Sequence, residues 1–386
     1  MSVHLLPMNT STHIRFFLGV VTATLIGAAS GCASAETGGS GFDPDRPTKG
    51  GENGDGPNGF QAAAGPDGQE PGQMGLNGET CGAVVVEPAP VPAALFVAVD
   101  KSGSMDDNNK WVRTTGAFSS FFSSPDAAEL DVALRFWPDA DGCGLSCAMH
   151  GNGCERPEVD MGSLSDPAHR NLLLASFRAA EPNGPTPMAA ALTGAIEYAR
   201  DYKQTAPRGQ WGAVVLMSDG KPEQCEERPE RLGDFARTAY VHADIPVFAV
   251  GLRGSDPTVM DAIAAGGGTQ RSYPIGQADL EDDLLEALES IRDSAASCTF
   301  AMPGEDDARV DIDPTLVNMV LSTGAGDTTV PQVAGGRAAC QGGPGWFYDD
   351  PTNPTSMSLC DFTCEGLNSS DDTRLNVEIG CITVVR

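Results

Sequence analysis

Five oxygen-bearing side chains in three separated segments carry the chemistry of this sequence. Asp100, Ser102 and Ser104 are spaced D-x-S-x-S, Thr186 sits in N-G-P-T-P, and Asp219 sits in S-D-G. Two carboxylates and three hydroxyls supply oxygen ligands only, which suits a hard divalent cation. Mg²⁺ takes octahedral oxygen shells that keep several waters, and Mn²⁺ and Ca²⁺ accept the same donors. Residues two apart can point the same way in an extended turn, and Gly103 is expected to let that turn bend tightly. Two carboxylates offset the ion's charge but leave coordination positions for an anionic group from outside. Each segment also has a plainer reading. Asp100 is a residue type that caps helices, Thr186 fits the N-cap of a helix opening at Pro187, and Asp219-Gly220 is a common turn pair.

The elements around these residues raise the metal reading above the plain ones. Ala93–Val99 is a continuous apolar run that reads as a strand buried on both faces. Leu130–Trp137, Trp211–Met217 and Ile245–Val250 read as further strands, with Arg271–Pro274 as an edge. Helices are expected at Lys110–Phe122, Pro167–Ala180, Pro187–Tyr202, Pro229–His242, Asp256–Ala265 and Ala278–Ala296. This alternation predicts a mostly parallel sheet with helices on both faces. Ligands bind such sheets at the carboxyl ends of the strands near the switch in strand order. Asp100 and Asp219 begin loops at two such strand ends.

D-K-S-G-S-M after an apolar strand, G-P-T-P-M-A-A-A-L and V-V-L-M-S-D-G-K-P together resemble the metal-ion-dependent adhesion site of von Willebrand factor type A (VWA) domains. The resemblance spans roughly residues 93–296. It implies a doubly wound, mostly parallel, Rossmann-like sheet with one antiparallel edge strand. It also implies that Ser102, Ser104 and Thr186 contact the metal directly or through water, and that Asp100 and Asp219 hold it. An Asp or Glu carboxylate from a protein partner would complete the shell. The departure from the family pattern is a cysteine-rich insertion, Asp139–Gly162, where a short edge strand and loop are expected. Cys143, Cys147 and Cys154 there, with Cys225, make two disulfides or a zinc site, and an oxidising context favours disulfides. Cys225 follows the Asp219 loop, so the insertion is expected to border the site and shape partner choice.

Enzyme readings find little support. There is no G-x-S-x-G elbow and no phosphate loop, Cys143-x-x-x-Cys147 is not C-x-x-C, and five histidines leave few general bases. A formal net charge of −29 on 386 residues disfavours nucleic acid and anionic lipid surfaces as partners. The expected class is a binding protein and not an enzyme. The alternative is a structural or assembly component of the cell envelope whose metal mainly stabilises the fold.

The 11 cysteines fit an exported protein. Residues 1–31 read as a lipoprotein-type signal, with the short apolar run Phe16–Ser30 beside Arg15 ending in Ala29-Ser30-Gly31-Cys32. This resembles a bacterial lipobox, with Ala29 where leucine is usual, and it implies lipid attached to Cys32. The resulting membrane anchor, with Ala33 and not aspartate next, points to the outer membrane, facing periplasm or cell surface. Residues 32–80 read as a tether. Its stretch 33–80 holds 13 glycines and 5 prolines and reaches about 35–40 Å in root-mean-square length. The α/β domain is expected over 81–297. Residues 298–386 read as a small disulfide-stapled β module with short runs at Val310–Ile312, Leu316–Leu321, Trp346–Tyr348 and Leu375–Val385, and a strand end and turn at L-C-D-F-T-C. Cys81 and Cys298 flank the α/β domain and are candidates to bridge its ends.

Overall fold

Strand β2 (Ala93–Asp100) is buried along its whole length, as an unbroken apolar run in the middle of a sheet must be. Its side chains alternate between two cores. Leu95, Val97 and Val99 join one, and Phe96 and Ala98 join the other. The computed structural model describes residues 84–386 except 90, 140–141, 145, 207–209, 297, 304–311 and 369–371. The signal at 1–31, Cys32, the tether, Cys81 and residues 310–311 of an expected strand therefore lie outside the described residues.

The main sheet has six strands in the order β4-β3-β2-β5-β6-β7. These are β2, β3 (Asp131–Trp137), β4 (Val159–Ser163), β5 (Trp211–Ser218), β6 (Val247–Gly251) and β7 (Tyr273–Pro274). Every pairing is parallel except β3 with β4. From β2 the chain runs outward through β3 and β4, then returns to β5 on the other side. The switch point therefore lies between β2 and β5. One core is filled by α1 (Lys110–Ser123), α2 (Pro167–Ala179) and α6 (Leu280–Ala296), with Phe118, Phe121, Phe122, Phe177 and Leu288. The other is filled by α3 (Met188–Thr205), α4 (Pro229–Ala243) and α5 (Pro257–Gly266), with Leu192, Ala195, Leu232, Ala236 and Ile263. The small residues of α3 let it lie close to the sheet.

Two expectations change here. The insertion after β3 does not replace the edge strand: its last residues, from Val159, form β4, which pairs antiparallel with β3 across a bulge between Val132 and Leu134. Its sequence, V-D-M-G-S, buries only Val159 and gives little strand signal. Second, Val84–Val86 (β1) does not belong to the α/β sheet. It pairs with β13 (Arg374–Ile379) in the C-terminal module, so that module takes a strand from before the α/β segment.

The C-terminal module holds two antiparallel sheets. One runs β1-β13-β9-β10, with β9 at Val317–Thr323 and β10 at Gly326–Val330. The other runs β11-β12-β8, from Trp346–Tyr348, Ser356–Leu359 and Thr299–Ala301. Trp346, Met319, Met357, Leu359 and Val377 meet in a core of their own. Disulfides Cys298–Cys364 and Cys340–Cys360 staple it, and Cys381 is also disulfide-bonded. The pairing of Cys298 with Cys364 corrects the expectation that Cys298 bridges to Cys81. The expected turn at C-D-F-T-C is a helix, α7 (Asp361–Asn368), and β13 ends at Ile379, short of the run expected to Val385. Among the described residues no helix is long and apolar enough to cross a membrane.

Candidate metal site

Asp100 is the last residue of β2 and Asp219 directly follows β5, so the two carboxylates stand on either side of the switch point. Thr186 reaches the same edge from the loop that leads into α3. Backbone hydrogen bonds tie the three loops together. The Asn183 N–H donates to the Lys101 carbonyl (2.7 Å), the Gly103 N–H to the Gly184 carbonyl (3.0 Å), and the Glu223 N–H to the Thr186 carbonyl (2.8 Å). Adjacent β2 and β5 ends fix the carboxylates, and these bonds fix the third loop against both.

The side chains converge. The Ser104 hydroxyl donates to Asp219 (2.7 Å) and lies 3.2 Å from the Ser102 hydroxyl. Asp100 accepts from the Ser102 N–H (2.7 Å) and from the Ser218 hydroxyl (2.6 Å). Thr186 Oγ1 lies beside Gly220, where an added Cβ would stand only 2.7 Å from it. Glycine after Asp219 is thus required by space. Gly103 is a different case: its φ is not positive and a Cβ there would meet only the Gly184 carbonyl at 3.8 Å, so the D-x-S-x-S turn does not depend on a missing Cβ. Asp100, Ser102, Thr186 and Asp219 are buried, with Ser104 half-buried at the mouth.

The plain readings do not account for these residues. Helix α3 begins at Met188 with Pro187 in the cap position and no side-chain cap bond, so Thr186 is not the N-cap. The 3-10 turns of Gly103–Asn109 start after Ser102, beyond Asp100, again without a side-chain cap bond. Asp219 spends its oxygens on Ser104 and on the ammonium of Lys110, not on the turn it begins.

Burial decides the electrostatics. It pushes the Asp100 carboxyl up to about 7, against the Ser218 and Ser102 hydrogen bonds that pull it down. Among the described residues no cationic side chain forms an ion pair with Asp100, whereas Asp219 has Lys110. A buried carboxylate with only hydroxyl and amide donors is short of positive charge. The donor set of two carboxylates and three hydroxyls fits a hard divalent cation on that ground. Among the described residues no group of three or more His, Cys, Asp or Glu side chains could hold a metal. The four insertion-linked cysteines form disulfides, Cys143–Cys154 and Cys147–Cys225, and not a zinc site.

Three contributors were not singled out from sequence. Ser218 orients Asp100 and also accepts from the Gly220 N–H (3.1 Å); its place just before Asp219 was its only signal. Glu223 accepts from the Thr186 N–H at 3.4 Å. Lys110 opens α1 in a polar stretch that reads as solvated, yet it is buried. The insertion packs on the start of α3: the Asn152 amide donates to the Ala190 carbonyl (2.9 Å) and to Thr193 (3.0 Å). Its Cys147–Cys225 bridge joins it to the loop that follows Asp219.

No protein-family profile matches the chain, and no curated protein matches it in sequence. Solved structures do align with it. A von Willebrand factor type A protein from Catenulispora acidiphila is 17% identical, with a TM-score of 0.41, over 78% of this chain and 60% of its own. The pilus adhesin SpaC from Lactobacillus rhamnosus GG is 12% identical, with a TM-score of 0.40, over 77% of this chain and 40% of its own. Proximal thread matrix protein 1 from the mussel byssus, in a form with a zinc-occupied MIDAS motif, is 14% identical, with a TM-score of 0.34, over 56% of this chain and 50% of its own. This chain thus spans 60% or less of each of these structures. The strand order and crossovers of this chain, not these likenesses, define its fold.

Proposed function

We propose that this chain is an exported binding protein of the adhesion type, not an enzyme, and that its sheet edge holds a divalent cation. The observation that carries this reading is the convergence of Asp100, Ser102, Ser104, Thr186 and Asp219 at the switch point. Ser102, Ser104 and Thr186 hold the ion with their hydroxyls, and Asp100 and Asp219 hold it directly or through water. Mg²⁺ is the first candidate, with Mn²⁺ and Ca²⁺ as alternatives. The ion supplies positive charge and a ligand position, and a protein partner's Asp or Glu carboxylate takes that position. The disulfides favour an oxidising compartment, and lipidated Cys32 on an envelope membrane is the anchor this reading adds. The stapled insertion beside the site selects the partner.

A pull-down from native envelope, with and without chelator and with Thr186→Ala, tests the proposal. Partner capture should vanish with chelator and with the variant; capture that persists in both would reject it. The Asp100 carboxylate, buried without a cationic partner, also favours the structural alternative, in which the metal mainly stabilises the fold. Chelation separates the two. Loss of capture with a small melting shift supports adhesion, and a large melting shift with capture retained supports the structural role.

A further inference from the structure

Lys110 is the first residue of α1, and its side chain turns inward to the site. Its ammonium donates to Asp219 Oδ2, the oxygen not taken by Ser104, and to the Arg253 carbonyl at 3.3 Å. Side-chain exposure is 7% for Lys110 and 0% for Asp219, so this charge pair lies out of solvent, where Coulomb interactions are weakly screened. Every other ion pair to a lysine among the described residues is more exposed, at 17% for Lys101 and 28% for Lys203.

We infer that Lys110 is a built-in counter-cation that sets both the divalent affinity of this site and the charge it presents to a partner. The inference rests on the proposed metal site. With both carboxylates ionised, the buried inner set of Asp100, Asp219 and Lys110 carries one net negative charge. A divalent ion turns that to one net positive charge. With a neutral residue at 110, the same ion would bind to two uncompensated carboxylates and leave the set neutral. Lys110 therefore weakens cation binding, because like charges share Asp219. It also makes the loaded site electropositive, which favours an anionic group in the last coordination position. The Arg253 carbonyl gives the ammonium a second acceptor, so it stays beside Asp219 when a cation arrives. Specificity follows: the site binds a carboxylate-bearing partner at the expense of a tighter grip on its metal.

The test is Mn²⁺ titration of the full chain, read from free Mn²⁺ by electron paramagnetic resonance, for wild type, Lys110→Met, Lys110→Gln and Lys110→Arg. The two neutral variants should bind Mn²⁺ on the order of tenfold more tightly, and Lys110→Arg should stay near wild type. A residue that only supports the fold would lower Mn²⁺ affinity when replaced, so the direction is diagnostic. Unchanged or weaker binding in the neutral variants overturns the inference while leaving the metal site standing. A wild type that binds no Mn²⁺ overturns both. Should the neutral variants fail to fold, lysine-selective ¹⁵N spectra of wild type decide: Mg²⁺ should shift the Lys110 Nζ resonance, and an unmoved resonance overturns the inference.

Discussion

Asp100 is a buried carboxylate of the α/β unit and Asp244 a mostly buried one, with 14% of its side chain exposed, and the molecule treats them in opposite ways. Asp244 ends α4 at the seam with the C-terminal module. There Arg337 donates to it at 2.6 Å and Lys203 lies 3.4 Å away. Burial alone would lift its carboxyl, but the two cations hold it below the ordinary range. Arg337 also stacks over Tyr240 and Phe347 (4.5 and 5.1 Å to the ring centroids) and donates to Asp361 at 2.7 Å. Asp244, Asp361, Lys203 and Arg337 each face an opposite charge in that seam. Asp100 has hydroxyl and amide donors only, and burial carries its carboxyl up to about 7. The difference teaches how to tell a structural carboxylate from one kept for a ligand. The first is matched by the fold; the second, on the proposed reading, is left short of positive charge at the sheet edge.

The comparison can be broken most forcefully at the seam. Arg337→Ala leaves Asp244 and Asp361 without their shared cation and should lower stability by about 3–5 kcal/mol in urea unfolding. A loss under about 1 kcal/mol would mean the seam is not a matched set. Asp100→Asn should act in the other direction. In chelator near neutral pH it should raise stability by about 1–3 kcal/mol, because an amide replaces an uncompensated buried charge, and it should abolish any Mg²⁺-induced rise in melting temperature. Destabilisation there would break the contrast.

How much of this was legible in the sequence follows from which forces are local. The runs A-A-L-F-V-A-V and W-G-A-V-V-L-M announce central strands because burial on both faces needs no alternation, and the motifs at their ends mark the site. Strand β4 was hidden because an edge strand needs only one buried residue, Val159. Residues 84–86 read as part of the α/β domain because the partner of β1 lies almost three hundred positions away, and no local pattern encodes such a pairing. Helix α7 reads as a turn because its eight residues bury only Thr363. Lys110 gives no signal in the sequence for a related reason. A lysine at a helix start is ordinarily solvated, and only the return of β5 to the side of β2 brings Asp219 to it.

Smaller effects sharpen the comparison. Asp244→Asn should lower stability at pH 7, because it removes the charge that Arg337 and Lys203 face. Because the folded carboxyl lies below its ordinary value of 3.8, the stability it contributes is present above that value and is lost as pH falls through the folded value. The gap between wild type and variant should therefore close as pH falls below the ordinary value of 3.8 in denaturant titrations, and a gap that widens there would contradict the matched-seam account. Thr186→Ala should change chelated stability by less than about 1 kcal/mol, yet remove the Mg²⁺-induced melting shift. A retained shift would take Thr186 out of the ligand set.

The most direct measurement is an anomalous-scattering map from crystals of the full chain soaked in Mn²⁺. A single strong peak enclosed by Asp100, Ser102, Ser104, Thr186 and Asp219, with Lys110 still on Asp219, is the predicted result. No peak there, while Mn²⁺ binds acidic residues elsewhere on the surface, would contradict the claim that this sheet edge was built for a cation.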